Sequence, residues 1–501
     1  MRAKQCVALA VATAVGLLAE GSAVASSAIN VSPVTVVTGP SPYANCTVGA
    51  GTGIVYVNAE VEPYVAINPA NALNIVGAWQ QDRWNNGGAH GLVAGYSFDG
   101  GQTWGETPLP FSACAKGGLS YERASDPWVS IGPDGTIYAN AISFDIITTT
   151  RNAVAAATSS DGGKTWKNLS VLVSYDATEG SQFSTDKNSI TADPVKAGVA
   201  YSVWDTLIQP TDQPDDNPHA SYAAAYSGPA YFSRTSNGGK TWSTPQVMVS
   251  TGNRQQTIGN LVVVAPDGSL YDFFDLILPP NAASLKPPPK TTNYNLAFVK
   301  STDGGTTWSK SQTVAQINTV YVSDPNTGAA IRTGDIIPEV AINPANGQLY
   351  AVWQDADFNG GHYDEVAFST STDGGKTWSA PIRVNTPTGR PAFTPQVHVN
   401  ASGTVGVTYY DFRNLQAGNT STLPTDYWLA VSTDGGKSFG NEAHVAGSFD
   451  MLTAPNARGY FVGDYEGLAS VGTTFRPFFV QANSGNTANR TDVFSTAATA
   501  P

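Results

Sequence analysis

The chain of 501 residues carries a formal net charge of −13, a pI near 4.7 and only 13% charged residues. That balance excludes a nucleic-acid binder, which needs clustered Lys and Arg against phosphate, and the sequence has no such cluster. Gly, Ser, Thr, Asn and aromatic residues are abundant instead, a composition suited to many short strands joined by tight turns rather than to helical bundles.

At the amino terminus, basic Met1-Arg-Ala-Lys4 runs into a small, apolar stretch from Cys6 to Ala19 that is too short to span a bilayer. With the small-residue pattern Ala23-Val24-Ala25 it reads as a signal peptide over residues 1–25, leaving a single domain over 26–501 and discarding Cys6. No later apolar run approaches ~20 residues. The mature chain is therefore expected to be secreted or periplasmic, with no membrane association after cleavage. An oxidising compartment permits Cys46 and Cys114 to pair, although spacing alone leaves open a disulfide or two free thiols.

Ile29 to Thr38 is a β-rich segment that belongs to no repeat. Beyond it, six segments share the pattern Ser/Thr-x-Asp/Asn-x-Gly-x-x-Trp/Phe: Ser97 to Trp104, Ser159 to Trp166, Thr235 to Trp242, Ser301 to Trp308, Ser371 to Trp378 and Ser432 to Phe439. The third has Asn237 in the acidic position. Physically the pattern describes a hairpin turn: the carboxylate or amide accepts from following backbone amides, paired glycines permit positive φ, and the aromatic packs back over the turn.

A second unit precedes each turn. In the first copy, Glu62-Pro-Tyr-Val-Ala-Ile-Asn-Pro is followed by a strand ending at Asp82; the fifth copy, from Pro338-Glu-Val-Ala-Ile-Asn-Pro to Asp355, nearly duplicates it. Related starts lie at Asp126, Asp186, Asn260, Pro395 and Asp464, and the turns recur about every 67 residues, which predicts seven repeats. Leu276 to Thr292 is expected to be a surface loop within the fourth repeat, because the next turn follows in phase.

The turn motif is the Asp box, and the chain resembles the sialidase (neuraminidase) superfamily. The resemblance implies an all-β fold: a β-propeller of four-stranded antiparallel blades, with seven blades expected here and the superfamily's usual six as the alternative. Ile29 to Thr38 would complete the last blade.

In such a fold the starts of first strands and the ends of second strands share one axial mouth. The starts supply Glu62, Asp126, Asp186, Asn260, Glu339, Gln396 and Asp464; the ends supply Asp82, Asp145, Asp205, Asp275, Asp355 and Asp411. A residue type that recurs in nearly every repeat is expected to hold a turn, whereas a distinctive occupant points to a site. The distinctive occupants are Glu62, Lys187, Glu339, the pair Asp464-Tyr465, Arg83 and Arg413.

The resemblance further implies a Tyr nucleophile assisted by Glu, an Asp acid/base and an arginine clamp. The residues available are Tyr465, Glu339, Asp126 or Asp82, and Arg83, Arg413 and Arg458, with Glu62 and Asp464 also lining the substrate site. The Arg-Ile-Pro segment carried by sialidases is missing, so no motif assigns the arginines.

A sialidase-like exo-glycoside hydrolase acting on a glycan is the leading expectation, as a monomer. Its alternatives are a noncatalytic glycan- or protein-binding propeller and a polysaccharide lyase, for which His90 and His362 follow matching Asn-Gly-Gly turns. No cofactor is expected and no metal ligands are assigned, although calcium is an option for neutralising the acidic rim.

Overall fold

The computed structural model describes residues 28–51, 53–146, 149–209, 227–252, 255–278 and 293–500. The leader, Cys6 and most of the loop expected over Leu276 to Thr292 lie outside these residues. The chain is all-β, and its strands form consecutive antiparallel meanders. Four of them are separate four-stranded or equivalent sheets, beginning with Phe183–Ala192, Gln256–Val264, Glu339–Ile342 and Ala392–Val399. The meanders beginning with Val55–Ile67 and Arg123–Ile131 also run four strands each, and are joined through an Ala89–Ala124 bridge.

The last meander, Gly467–Val471, Thr474–Ala482 and Thr491–Ser495, has only three strands of its own. Thr35–Val36 supplies the fourth by pairing antiparallel with Phe494 and Ser495, and Asn30–Val31 pairs with Ala498–Thr499. The spare amino-terminal segment thus covers the edge of the carboxy-terminal sheet, as its β-rich composition predicts. The first strand of each meander packs on the first strand of the next, and Gly467–Val471 returns to pack on Val55–Ile67. Cys46 and Cys114 form a disulfide with Cα atoms 5.7 Å apart, which ties the amino-terminal segment to the loop after the first meander.

The Asp boxes fold as their chemistry dictates. In the second box, Ser159 Oγ donates to Asp161 Oδ1 (2.8 Å), Thr165 N donates to the same oxygen (3.0 Å), and Gly163 N donates to Ser159 Oγ (3.0 Å). Gly162 and Gly163 take φ of 79° and 97°, values a side chain would strain. Asn237 reproduces the key contact by accepting from Thr241 N at 3.0 Å. The amide oxygen therefore substitutes for the carboxylate without rearranging the turn.

The innermost strands share a feature that repeat counting does not show. Pairing slips between Val61 and Tyr64, Ser125 and Trp128, Asp186 and Ser189, Ile258 and Leu261, and Phe393 and Gln396. At each slip one residue is left-handed: Glu62 (φ 53°), Asp126 (54°), Lys187 (40°), Gly259 (73°) and Thr394 (48°). These are β-bulges, and four of the five hold a residue with a Cβ where glycine is the relaxed choice. The bulge amides are capped from the neighbouring sheet: Lys187 N by Asp126 Oδ2 (3.1 Å), Gly259 N by Asp205 Oδ2 (3.1 Å) and Thr394 N by Gln354 Oε1 (2.9 Å).

Two predictions follow from edge covering and from burial. Deleting residues 29–38 exposes the hydrogen-bonding edge of Thr491–Ser495 and should lower the melting temperature by on the order of 10 °C, measured by differential scanning calorimetry. Asp272, fully buried in Leu270–Ile277 with neither carboxylate oxygen hydrogen-bonded among the described residues, is pushed well above the usual aspartate range by burial. Because its folded-state value is raised, its contribution to stability is complete below the ordinary aspartate pKa near ~4 and is lost as pH rises through the folded value. Asp272→Asn should therefore gain stability over wild type with rising pH, by about 1–3 kcal/mol at pH 8, in denaturant titrations at pH 4, 6 and 8.

Candidate functional site

The bulges gather a charged cluster where first strands from the two ends of the repeat array meet. At its centre is the Lys187 ammonium, which lies 2.8 Å from Asp464 Oδ2, 3.4 Å from Glu62 Oε1 and 3.8 Å from Asp126 Oδ1. These carboxylates come from the meanders that begin at Val55 and Arg123 and from the approach to the last one. Arg332 grips Asp464 from the other side with Nε (3.0 Å to Oδ1) and Nη2 on Oδ2. Arg83 donates to Gln80 Oε1 (2.8 Å), and Gln80 in turn donates to Glu62 Oε2 and to Ser125 Oγ (3.0 Å).

Phe461, fully buried, lies between two guanidinium groups, with Arg83 at 5.1 Å and Arg332 at 4.3 Å from its ring centroid. It arrives on Tyr460–Phe461, which pairs in parallel with Ala330–Arg332, so two long connectors cross at this mouth. Glu62 N donates to Val462 O (3.1 Å) and fixes the second connector to the first bulge.

This environment drives the acids apart. Burial, followed by repulsion from Asp126 and Asp464 and opposed by Lys187, raises Glu62 to about 8. Asp464 is equally buried, yet Arg332 and then Lys187 override that burial and hold it well below the usual range. Asp186 is raised to about 6 by burial and by Asp126. Burial raises Glu339 to about 8, against the hydrogen bond from Gln396 Nε2 (3.0 Å). Arg83 falls to about 10 through burial and the nearby Arg332, while Asp464 holds Arg332 firmly protonated despite its own burial.

The residues singled out from sequence separate into two groups. Glu62, Asp126, Asp464, Arg83 and Tyr465 come together around Lys187, and Tyr465 and Glu339 line one cavity with Trp128, Asn188 and Pro338. That cavity has about 20 Å³ of free room, enough for a single water. The Tyr465 phenol donates to Pro127 O (3.4 Å), its ring lies 5.0 Å from Trp128, and burial raises its pKa well above the ordinary value. A nucleophilic phenol needs the opposite shift.

Asp82, Arg413 and Arg458 are not among the groups that contact Lys187. Asp82 accepts from Asn58 N (2.9 Å) and Ser41 Oγ (2.8 Å) and contacts His90 Nδ1 (3.2 Å), so it anchors the amino-terminal segment. Arg413 is bound to Asp411 and Glu442, both at 2.6 Å, and stacks on Trp428 in the outer part of its own sheet. Arg458 is exposed and makes no ion pair among the described residues. The three expected arginines therefore do not form one clamp.

Glu339 is also out of register with Glu62: it pairs opposite Val352, as Tyr64 pairs opposite Ala78, and so occupies the place of Tyr64 beyond the bulge. His90 is buried against Asp82 and Trp84, whereas His362 is exposed in a turn capped by Asn359; no contact joins them.

Four of the recurring aspartates accept from backbone amides: Asp145 from Glu122 N (3.0 Å), Asp275 from Asn295 N (2.7 Å) and Asp355 from Asp357 N (2.9 Å) near their own strands, and Asp205 from Gly259 N (3.1 Å) in the next sheet. Sequence reasoning missed Arg332 and Phe461, which lie on connectors outside the repeat unit. Among the described residues no three His, Cys, Asp or Glu side chains converge to hold a metal ion, and no helix is long and apolar enough to cross a membrane. The acidic rim is neutralised by Lys187, Arg83 and Arg332.

Residues 369–380 match the family model described as BNR/Asp-box repeat, so the chain carries the repeat its turn motif indicates. No curated protein matches the chain. Among solved structures it is similar to an α-L-arabinanase from Penicillium chrysogenum complexed with arabinobiose, at 12% identity and a TM-score of 0.47, covering 93% of this chain and 98% of that one. A Hadza microbial sialidase is similar at 14% identity and a TM-score of 0.46, over 86% of this chain and 74% of that one. A mutant NanB sialidase from Streptococcus pneumoniae is similar at 13% identity and a TM-score of 0.43, over 94% and 71%.

Replacing Lys187 with Met removes the shared cation from three buried carboxylates and should destabilise the protein by about 3–5 kcal/mol at pH 8. The loss should shrink toward pH 5, because the variant's carboxyls can then take up protons. Urea titrations at the two pH values measure the difference; equal losses would show that the ammonium does not compensate these acids.

Proposed function

We propose that the chain is an exported, seven-bladed Asp-box propeller that acts on carbohydrate at the mouth formed by Glu62, Asp126, Lys187, Arg332 and Asp464. The cyclic packing of the first strands and the completion of the last sheet by Thr35–Val36 support seven blades. The Cys46–Cys114 disulfide supports export, since such bonds persist in oxidising compartments.

The observation that carries a glycoside hydrolase reading is the pair of carboxyls on one ammonium. Glu62, raised to about 8, holds its proton at neutral pH, whereas Asp464 stays ionised. Two carboxyl groups tuned in opposite directions are what glycosidic cleavage requires: one protonates the leaving oxygen and the other carries negative charge toward the developing oxocarbenium ion. In this reading Glu62 is the proton donor and Asp464 the ionised partner. A Tyr465 nucleophile assisted by Glu339, as in the sialidase-like version, draws less support, because the phenol is engaged with Pro127 O and its pKa is raised.

A second reading, a noncatalytic glycan-binding propeller, is favoured by one observation: the charged groups satisfy one another, and the adjoining cavity has room only for water.

The test is hydrolysis of aryl glycosides, including an arabinofuranoside, a sialoside and uronides, from pH 4 to 9. Turnover should fall as pH rises through about 8, where Glu62 loses its proton. Glu62→Gln should lower kcat by ~10²–10⁴-fold and abolish that alkaline limb. Cleavage unaffected by Glu62→Gln would overturn the assignment; binding of glycans with cleavage of none would establish the second reading.

A further inference from the structure

Tyr321 has an exposed ring on a strained backbone. Its side chain is 62% exposed, the most exposed of the aromatic residues in the described chain, and its φ is 65°. A bulky residue pays a steric penalty there that Gly or Asn avoids, and such strain persists only where the surroundings enforce it. Here the enforcement is visible. Asn318 N donates to Asp355 Oδ2 (3.3 Å), Asn318 Nδ2 to Asp357 Oδ2 (2.9 Å), Thr319 Oγ1 to Asp364 Oδ2 (2.6 Å), and Val320 N to Asp364 Oδ1 (2.8 Å). Tyr321 N itself donates to Thr319 Oγ1 at 3.2 Å. Three carboxylates therefore hold a four-residue loop rigid while its aromatic ring covers no core.

The location ties this loop to the mouth. Val322 pairs with Ile331 and Ser323 with Ala330, so Tyr321 immediately precedes this ladder at the end from which Arg332 leaves it. Arg332 is the guanidinium that grips Asp464, and its side chain is still 27% exposed. Thr319 Oγ1 also reaches Asp335 Oδ2 (3.3 Å), which follows Arg332 closely in the chain. Val320, itself 41% exposed, extends the apolar surface beside the ring.

We infer that Tyr321 is the aromatic platform of an outer sugar subsite, stacking on the apolar face of the saccharide unit next to the one held at the mouth. The inference rests on the carbohydrate reading above and deepens it: the ligand is an oligosaccharide, not a monosaccharide. A Tyr ring offers a large amphipathic face with few rotors to order, and a loop immobilised before binding leaves little entropy to lose on contact. The strain at residue 321 then has a function, since it turns the ring outward instead of into the sheet.

The experiment compares wild type, Tyr321→Asn and Tyr321→Phe by isothermal titration with arabinotriose, xylotriose, sialyllactose and trigalacturonate, each beside its monosaccharide, and by thermal melting. Wild type should bind one trisaccharide about tenfold more tightly than its monosaccharide. Tyr321→Asn should erase that advantage, leave monosaccharide binding unchanged and melt at or above the wild-type temperature, because Asn tolerates the left-handed backbone; Tyr321→Phe should keep the advantage.

Trisaccharide binding undiminished in Tyr321→Asn would overturn the platform while leaving the mouth assignment standing. A lower melting temperature in Tyr321→Asn would overturn it as well, by showing that the ring is structural. A wild type that binds none of these sugars would overturn the carbohydrate reading and the platform together.

Discussion

The buried ammonium of Lys187 is the contact on which the central arrangement depends. Its carboxylate partners belong to the first meander, the second and the approach to the last, so one side chain from the third links the beginning of the array to its end. Buried charges with little access to water are tolerable only because they are paired, and Arg332 completes the balance on Asp464. The same balance sets the chemistry. Where cations crowd Asp464 a carboxylate stays ionised, and where burial outweighs the pull of Lys187, Glu62 keeps its proton. The link between the two ends of the array and the tuning of the candidate acids thus share one ion cluster.

The backbone beneath the cluster carries strain that the pairing must offset. Glu62, Asp126 and Lys187 each sit in the left-handed region, at a cost of ~1–3 kcal/mol apiece. A regular strand would alternate these side chains between faces; the bulge breaks the alternation and re-aims them at the mouth. At the corresponding position in the fourth meander Gly259 removes the strain, whereas the uncharged Thr394 keeps it at φ 48°.

What the sequence reveals is whatever repeats. The Ser/Thr-x-Asp/Asn-x-Gly turns, the recurring aspartates that cap local amides and the unpaired segment Ile29 to Thr38 are all legible, because each is a local hydrogen-bonding solution or a remainder left after the repeats are counted. Glu62, Lys187 and Asp464 stand out because they differ at an otherwise matching position. The bulge defeats finer alignment. Glu339 opens its segment as Glu62 does, yet it is paired like Tyr64, the register in which Pro338-Glu-Val-Ala-Ile matches Pro63-Tyr-Val-Ala-Ile. Arg332 and Phe461 come from connectors with no counterpart in other repeats, and no periodicity could have brought together positions 129 residues apart in sequence. Arg413 fails for the converse reason: its partners, Glu442 and Trp428, are on strands the axial argument did not consider.

The strand at Thr35–Val36 has a consequence for the order of events in synthesis. It is made before its partners Phe494 and Ser495, from which it is separated by all of the repeats. This seam can form only after the repeats between them have emerged. A ribosome-bound or partly translocated chain can assemble individual meanders from nearby contacts, but it cannot form this pairing. The final step is long-range by construction, and the disulfide at Cys46, joining the leading segment to Cys114 in the loop after the first meander, keeps the waiting strand tethered to that part of the chain.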